Sequence, residues 1–245
     1  VANYHDGGIP EKDLHPRRYK YRLEKLPSPL EYLGYCYFYA AVLTGPVYEM
    51  KHYCDFINQY GLSRYPSCAR AIITRILLIT FSICIFVFGI PLFSRDFVWD
   101  GRYFEYPMWY KIIFGYMLIQ MFKFRYYMVW YIAEASAILA GMGFSGVDAQ
   151  LNPIWEEARQ IDMVAFETAT NSFQLAASWN MSTARALKNY TYTPESGKAG
   201  PWNVLGVFVL SAIWHGFYPG YYLFFLHLAV ATMIAQIYRR KMRPL

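Results

Sequence analysis

Charged side chains are scarce in this chain. Asp, Glu, Lys and Arg together make up 16% of it, while 56% is hydrophobic and 20% aromatic. Soluble domains usually carry about a quarter charged residues, so an ordinary water-soluble domain is excluded. Residues 201–238 contain none of the four charged types. Cysteine is sparse as well. Cys36, Cys54, Cys68 and Cys84 follow no metal-ligand spacing and build no disulfide framework. Cys36 and Cys84 lie in apolar runs and read as small core residues. No Gly-x-Ser-x-Gly elbow is present, and no cysteine adjoins a histidine. The common covalent hydrolase signatures are therefore missing. The net charge is +6, yet the basic clusters, at 17–25 and 239–243, flank apolar segments instead of forming one binding face. That argues against nucleic-acid binding and fits orientation in a bilayer by positive loops. Paired half-chains and periodic pore-lining charges are also missing. A transporter or channel, with His215 and Glu134 as a polar relay, is thus the remote alternative.

What is present points to a membrane. Tyrosine occurs 24 times, and Tyr and Trp favour bilayer interfaces, where a ring is half buried and its polar tip wet. The predicted class is all-α, a multi-pass transmembrane helical bundle in a single domain. Residues 1–29 read as a polar loop, 30–150 as transmembrane helices and 151–200 as an amphipathic segment ending in a polar loop. Residues 201–238 read as a helical hairpin and 239–245 as a basic tail. Within 30–150, residues 32–48 contain Gly45-Pro46 and predict a broken or re-entrant helix. Residues 49–70 read as an interfacial connection, 76–94 as the cleanest span and 97–110 as an aromatic loop. Residues 112–147 predict two helices with a basic join at Lys123 and Arg125, or one long tilted helix. Glu134 inside it must be paired or face a cavity. In residues 151–189, Asn152-Pro153 can open a helix whose N-terminal end suits Glu156 and Glu157. Trp155, Ala158, Ile161, Ala165 and Ala169 recur there at helical spacing. The hairpin is expected to turn at Tyr218-Pro219-Gly220. The positive-inside rule makes the tail and the 190–200 loop cytosolic and that turn lumenal. Val1 stands where a start methionine would, so the chain reads as a C-terminal piece of a longer protein.

Two polar signatures stand inside this apolar background. His215 sits just before the expected turn. Ser178-Trp179-Asn180-Met181-Ser182-Thr183 lies upstream, with Asn180 35 positions before His215. Asn offers a donor and an acceptor without charge, and His a base of reference pKa about 6.5. Together they suit acyl transfer. A hydroxyl loses its proton to His215 as it attacks an acyl carbonyl, and Asn180 orients the donor or stabilises the oxyanion. The plain alternative for Asn180 is a helix cap or an interhelical hydrogen bond. His227 reads as a neutral, hydrogen-bonded core histidine.

Three blocks resemble the membrane-bound O-acyltransferase family, in its lysophospholipid acyltransferase branch. The first is Leu210-Ser211-Ala212-Ile213-Trp214-His215-Gly216-Phe217-Tyr218-Pro219-Gly220-Tyr221-Tyr222, similar to the family's histidine motif. The second is the Asn180 block. The third is Pro29-Leu30-Glu31-Tyr32-Leu33-Gly34-Tyr35-Cys36-Tyr37-Phe38-Tyr39 with Gly45-Pro46, preceded by Asp6-Gly7-Gly8. The chain departs from the pattern at Ala186-Leu187, where the family often carries Trp-Leu. The resemblance implies that His215 and Asn180 are the catalytic pair inside an intramembrane reaction chamber. It implies acyl-CoA as co-substrate, no further cofactor, no metal, a lysophospholipid acceptor and a multi-pass place in the endoplasmic-reticulum membrane. Trp179, Thr183 and Trp214 would shape the pocket, and Lys188 and Lys198 would meet the CoA phosphates. A homodimer is compatible with this reading. Sterol, diacylglycerol or peptide acceptors are the alternatives that keep the chemistry.

Overall fold

Prolines and short polar side chains set most helix boundaries. The computed structural model describes Gly8 and residues 19–58, 66–192 and 201–242. Asp6, Gly7, Lys198, Arg243 and most of the expected N-terminal loop lie outside the described residues. The first helices in chain order are α1 (Pro29–Cys36), α2 (Met50–Asn58), α3 (Ala69–Gly89), α4 (Arg95–Trp99), α5 (Gly101–Glu105) and α6 (Met108–Ala140). A hairpin follows, of β1 (Gly146–Val147) and β2 (Pro153–Ile154). Then come α7 (Met163–Glu167), α8 (Ser172–Ser178), α9 (Met181–Leu187), a π-helical turn (Lys188–Tyr192), α10 (Pro201–His215) and α11 (Pro219–Met242). Pro29, Pro201 and Pro219 open helices, where a missing N–H is harmless and the fixed φ is already helical. Ser28 and Glu31 close a reciprocal cap on α1. The Ser28 amide donates to Glu31 Oε2 at 2.7 Å and the Glu31 amide to Ser28 Oγ at 3.3 Å. Backbone donation from Ser28, the leading cause, holds the Glu31 carboxyl below its ordinary range.

The described residues are overwhelmingly helical. Among them α3 is long and apolar enough to cross a membrane, and Trp202–His215 and Pro219–Ala235 are shorter apolar helices. Residues 97–110 are not a plain loop. Ser94 and Asp100 accept from the Asp96 and Arg102 amides and so cap α4 and α5. Of the two readings of residues 112–147, the single helix holds, since α6 runs unbroken for 33 residues. Lys123 and Arg125 do not interrupt it, because straight-chain residues are good helix formers. Gly141, at φ 95°, ends it in the left-handed region.

The chain forms two compact units, each from non-contiguous stretches. One comprises residues 36–46 and 59–163. In it α3 packs along α6, with Phe81 edge-on to Phe124 at 5.7 Å. Glu134 of α6 is 1% exposed and is the hub of the unit. Its Oε2 accepts from Arg75 Nε of α3 at 2.7 Å, and its Oε1 accepts from the Gln160 and Ile161 amides at 2.6 and 3.2 Å. Gln160 Nε2 in turn donates to the Thr44 carbonyl at 3.3 Å. Residues 37–44 fold largely as turns, and the Gly45 amide donates to the Ala41 carbonyl at 3.1 Å. A Cβ on Gly45 would lie 1.8 Å from the Ala40 carbonyl oxygen, so only glycine fits.

The amphipathic helix expected from Asn152 onward does not form. The Asp148 carboxylate accepts from the Gln150 amide at 2.9 Å, the Asn152 amide at 2.8 Å and Asn152 Nδ2 at 3.0 Å. This side-chain turn competes with a helix. Leu151 takes a left-handed φ of 63°, and a residue before proline, here Asn152, disfavours the helical region. Pro153 and Ile154 therefore pair antiparallel with Val147 and Gly146. Trp155, Ala158 and Ile161 are buried as expected, but on irregular backbone. Glu134 accepts the amide bonds that a helix would have closed. Arg159 bonds Glu156 at 2.5 Å and Asp162 at 2.8 Å, so Glu156 serves an ion pair and not a helix start. Cys36 and Cys84, expected as small core residues, are both exposed. A membrane-crossing helix such as α3 turns much of its apolar surface to its surroundings and not to a protein core.

Asp148 gives a pH test of this turn. The Asn152 side chain and then its amide hold the Asp148 carboxyl below its ordinary range. A depressed folded pKa adds stability above the unfolded pKa, and that stability is lost as pH falls through the folded value. Protection of the Gln150 and Asn152 amides in hydrogen exchange is therefore expected to drop below about pH 4. In Asp148→Ala it should already be low at neutral pH.

The second unit comprises residues 1–35, 47–58 and 164–245. Tyr35 Oη donates to the Tyr48 carbonyl at 2.7 Å and lies edge-on to Tyr53 at 5.8 Å. α10 and α11 pack as the expected hairpin, with Phe208 and Phe225 rings 6.4 Å apart. The turn falls at residues 216–218, earlier than expected, because Pro219 opens α11 instead of ending α10.

Candidate active site

His215 is the last residue of α10. The helix stops there because Gly216 adopts φ 114° and its amide returns to the Ile213 carbonyl at 3.0 Å. A side chain in that conformation is strained, whereas glycine is not. One turn back, Ser211 Oγ donates to the Val207 carbonyl at 2.8 Å. The Ser211 carbonyl lies 2.7 Å from His215 Nδ1. A carbonyl only accepts, so Nδ1 carries the proton in this bond and Nε2 of the neutral ring presents a lone pair. Trp214 stands edge-on to the imidazole at 4.7 Å, and Phe225 and Tyr221 flank it at 4.9 and 5.5 Å. His215, Tyr218, Tyr221, Phe224 and Phe225 line an open cavity of about 380 Å³. The imidazole is exposed in it. A base on an aromatic, largely apolar wall suits removal of a proton from a hydroxyl on an amphipathic substrate.

Asn180 stands at the N-cap position of α9. Its backbone is left-handed, at φ 47° and ψ 51°, and its side chain bonds no amide of the helix. The helix-cap alternative for Asn180 is thereby set aside. Asn is among the few non-glycine residues that tolerate this conformation, and backbone of this kind concentrates at functional sites. Neighbouring contacts hold the block. Trp179 lies on Phe166 at 4.8 Å. Ser182 is buried, and its Oγ accepts from the Val47 amide at 3.1 Å, just beyond Gly45-Pro46. Tyr190 Oη donates to the Glu49 carboxylate.

The site residues are thus distributed as follows. The π-helical turn that follows α9 packs against α10, so the asparagine block and the histidine helix belong to one compact unit. Trp214 meets His215 directly. Thr183 lies half-buried on α9, and Lys188, exposed, begins the π-helical turn. No hydrogen bond joins Asn180 to His215 among the described residues. Lys198 lies outside the described residues. Sequence reasoning gave no role to Ser182, which anchors Val47, or to the Glu49–Tyr190 bond. Ser182 stood inside the quoted block, so its polarity on a helix start was the available signal. Glu49 and Tyr190 are too far apart in the chain to have given one. His227 repeats the Nδ1 geometry, with the Leu223 carbonyl at 2.7 Å. It is exposed and not a core residue, and it does not line the His215 cavity.

The family model for membrane-bound O-acyltransferases matches residues 11–245. The chain belongs to this family. This O-acyltransferase family member is 34% identical to lysophospholipid acyltransferase 1 of Arabidopsis thaliana, over 93% of the chain and 52% of that protein. It is 30% identical to a lysophospholipid acyltransferase of Schizosaccharomyces pombe, over 98% of the chain and 50% of that protein. It is 31% identical to human membrane-bound glycerophospholipid O-acyltransferase 1, over 98% of the chain and 51% of that protein. The chain therefore spans about half the length of these curated relatives.

Proposed function

We propose that the protein transfers an acyl group from acyl-CoA to the free hydroxyl of a lysophospholipid. The observation that carries this reading is the imidazole geometry, in which the Ser211 carbonyl holds the Nδ1 proton and the ring lines an aromatic cavity. The lysophospholipid oxygen attacks the thioester carbonyl, and its proton passes to Nε2 of His215. The tetrahedral intermediate collapses, the C–S bond breaks, and the imidazolium returns the proton to the leaving thiolate. Atoms and charge balance with no covalent enzyme intermediate. Asn180, whose backbone is left-handed and whose side chain makes no cap bond to α9, donates to the oxyanion or orients the acyl donor. Trp179, Thr183 and Trp214 shape the pocket, and Lys188 and Lys198 meet CoA phosphates. The relatives named as lysophospholipid acyltransferases support this acceptor. Completion of a multi-pass bundle around an intramembrane chamber, in the endoplasmic reticulum, belongs to the same proposal.

The test is acyl transfer in microsomes containing the complete protein. Labelled oleoyl-CoA and arachidonoyl-CoA are supplied with a panel of lysophospholipids, a sterol, diacylglycerol and a peptide. Product from a lysophospholipid is expected, reduced about 10²–10³-fold in Asn180→Ala if the amide serves the oxyanion. Product from the sterol, diacylglycerol or peptide alone would move the acceptor class. No product from any acceptor would overturn the reading.

A further inference from the structure

A second cavity, of about 240 Å³, lies in the other compact unit where α3 ends, and it involves neither His215 nor Asn180. α3 has 21 residues, enough to cross the roughly 30 Å of bilayer hydrocarbon. Its last residues and the polar Ser94-Arg95-Asp96 that follow therefore mark the depth at which hydrocarbon gives way to headgroups. The cavity sits at that level. Phe86, Ile90 and Phe122 form much of its apolar wall, and Arg95 and Arg125 also line it. Asp96 is the carboxylate on the lining, so the cavity is net positive.

The two arginines are available to a ligand. Neither is ion-paired with a carboxylate among the described residues, and both side chains are exposed. Arg125 lies over the Phe122 and Tyr126 rings, at 5.6 and 5.5 Å from their centres. Ring faces hold a guanidinium without consuming its N–H donors. Planar guanidinium groups match phosphate oxygens in pairs. An apolar wall adjoining this charge suits an amphipathic anion better than a hydrated inorganic one. Ile90, at 43% exposed, and Phe122, at 40%, open that wall outward.

We propose that this cavity seats an anionic glycerophospholipid. Its phosphate lies between Arg95 and Arg125, and an acyl chain runs along Phe86, Ile90 and Phe122. The lipid is a bound component of the fold and not the acyl acceptor.

The experiment uses the complete protein purified in neutral detergent. Native mass spectrometry and thermal unfolding are measured with dioleoyl phosphatidylserine, dioleoyl phosphatidylcholine and inorganic phosphate as separate probes. Phosphatidylserine is expected to remain bound and to raise the melting temperature above the phosphatidylcholine value. Arg95→Gln and Arg125→Gln should each weaken its binding about fivefold, while Arg95→Lys and Arg125→Lys retain most of it. Arg102→Gln, which removes an exposed arginine paired with Asp100, should change nothing. Equal binding of both lipids, or an undiminished preference in the glutamine variants, overturns the proposal. Equal protection by inorganic phosphate does so too, because it makes the site one for a free anion. If the glutamine variants do not fold, photoactivatable phosphatidylserine on the parent protein decides. Adducts on α3, α4 and α6 around the cavity support the site, and adducts confined elsewhere overturn it.

Discussion

Acyl transfer falls about 10²–10⁴-fold in His215→Ala, while folding stability changes by no more than about 0.5 kcal/mol. The two halves of this expectation have separate causes. The imidazole is exposed in its cavity, so removing it leaves no void. The Ser211 carbonyl it vacates keeps its place in the α10 hydrogen-bond ladder. On the proposed mechanism, however, Nε2 takes the hydroxyl proton, and alanine offers no substitute. His227→Ala is the matched control, since it deletes a ring with the same Nδ1–carbonyl bond of 2.7 Å outside the cavity. It should keep near-parental turnover. Kinetics in microsomes and thermal unfolding of purified protein read the two quantities. Full activity in His215→Ala, or equal losses in both variants, would remove His215 from the reaction.

Glu134→Ala is expected to destabilise the protein by about 3–5 kcal/mol, the usual consequence of stripping one partner from a buried ion pair. Two features place it at the upper end. Arg75 keeps its charge, with a side chain only 12% exposed, and the Gln160 and Ile161 amides lose their acceptor. The second feature separates this site from a simple ion pair. Replacing both members of a buried pair by apolar residues is often neutral. Here Arg75→Leu/Glu134→Leu should stay clearly destabilised, because two backbone donors remain unsatisfied whatever happens to the arginine. Glu134→Gln keeps an acceptor oxygen and should fall between. Thermal unfolding in detergent measures all three. A double variant as stable as the parent would show that the amides find other acceptors.

Legibility in the sequence followed the range of the interactions involved. The hairpin of α10 and α11 was readable because a long charge-free run is punctuated locally by glycine and proline. Glu134 was readable as a residue needing a partner, since a lone acid in an apolar run has few alternatives. Its partner was not. Arg75 was left outside the apolar run because it is charged, although it lies inside α3. Residues 151–162 were misread as helix. Their spacing of Trp155, Ala158 and Ile161 was real, but helix and irregular core segment share it. The decision came from Asp148 and from Glu134 on α6, both of which precede the segment whose spacing suggested a helix. Asn180 was legible as a residue type. Its left-handed backbone and the lack of a cap bond were not, because conformation at a single residue depends on what packs beside it.

The link between Arg75 and Glu134 also bears on biosynthesis. α3 leaves the ribosome before α6 exists, carrying in its N-terminal half an arginine, a residue that costs up to about 2.5–3.5 kcal/mol at the centre of an inserting helix. Its counter-charge is 59 residues further along the chain. α3 is apolar enough to insert by itself, but its arginine weakens that tendency until α6 arrives and pairs it. The translocation machinery would thus be presented with α3 and α6 as one cargo. Comparing insertion of α3 alone with insertion of the α3–α6 segment, using a glycosylation reporter on the intervening loop, reads this order of events directly. Efficient insertion of α3 by itself would show that its arginine needs no partner at that stage.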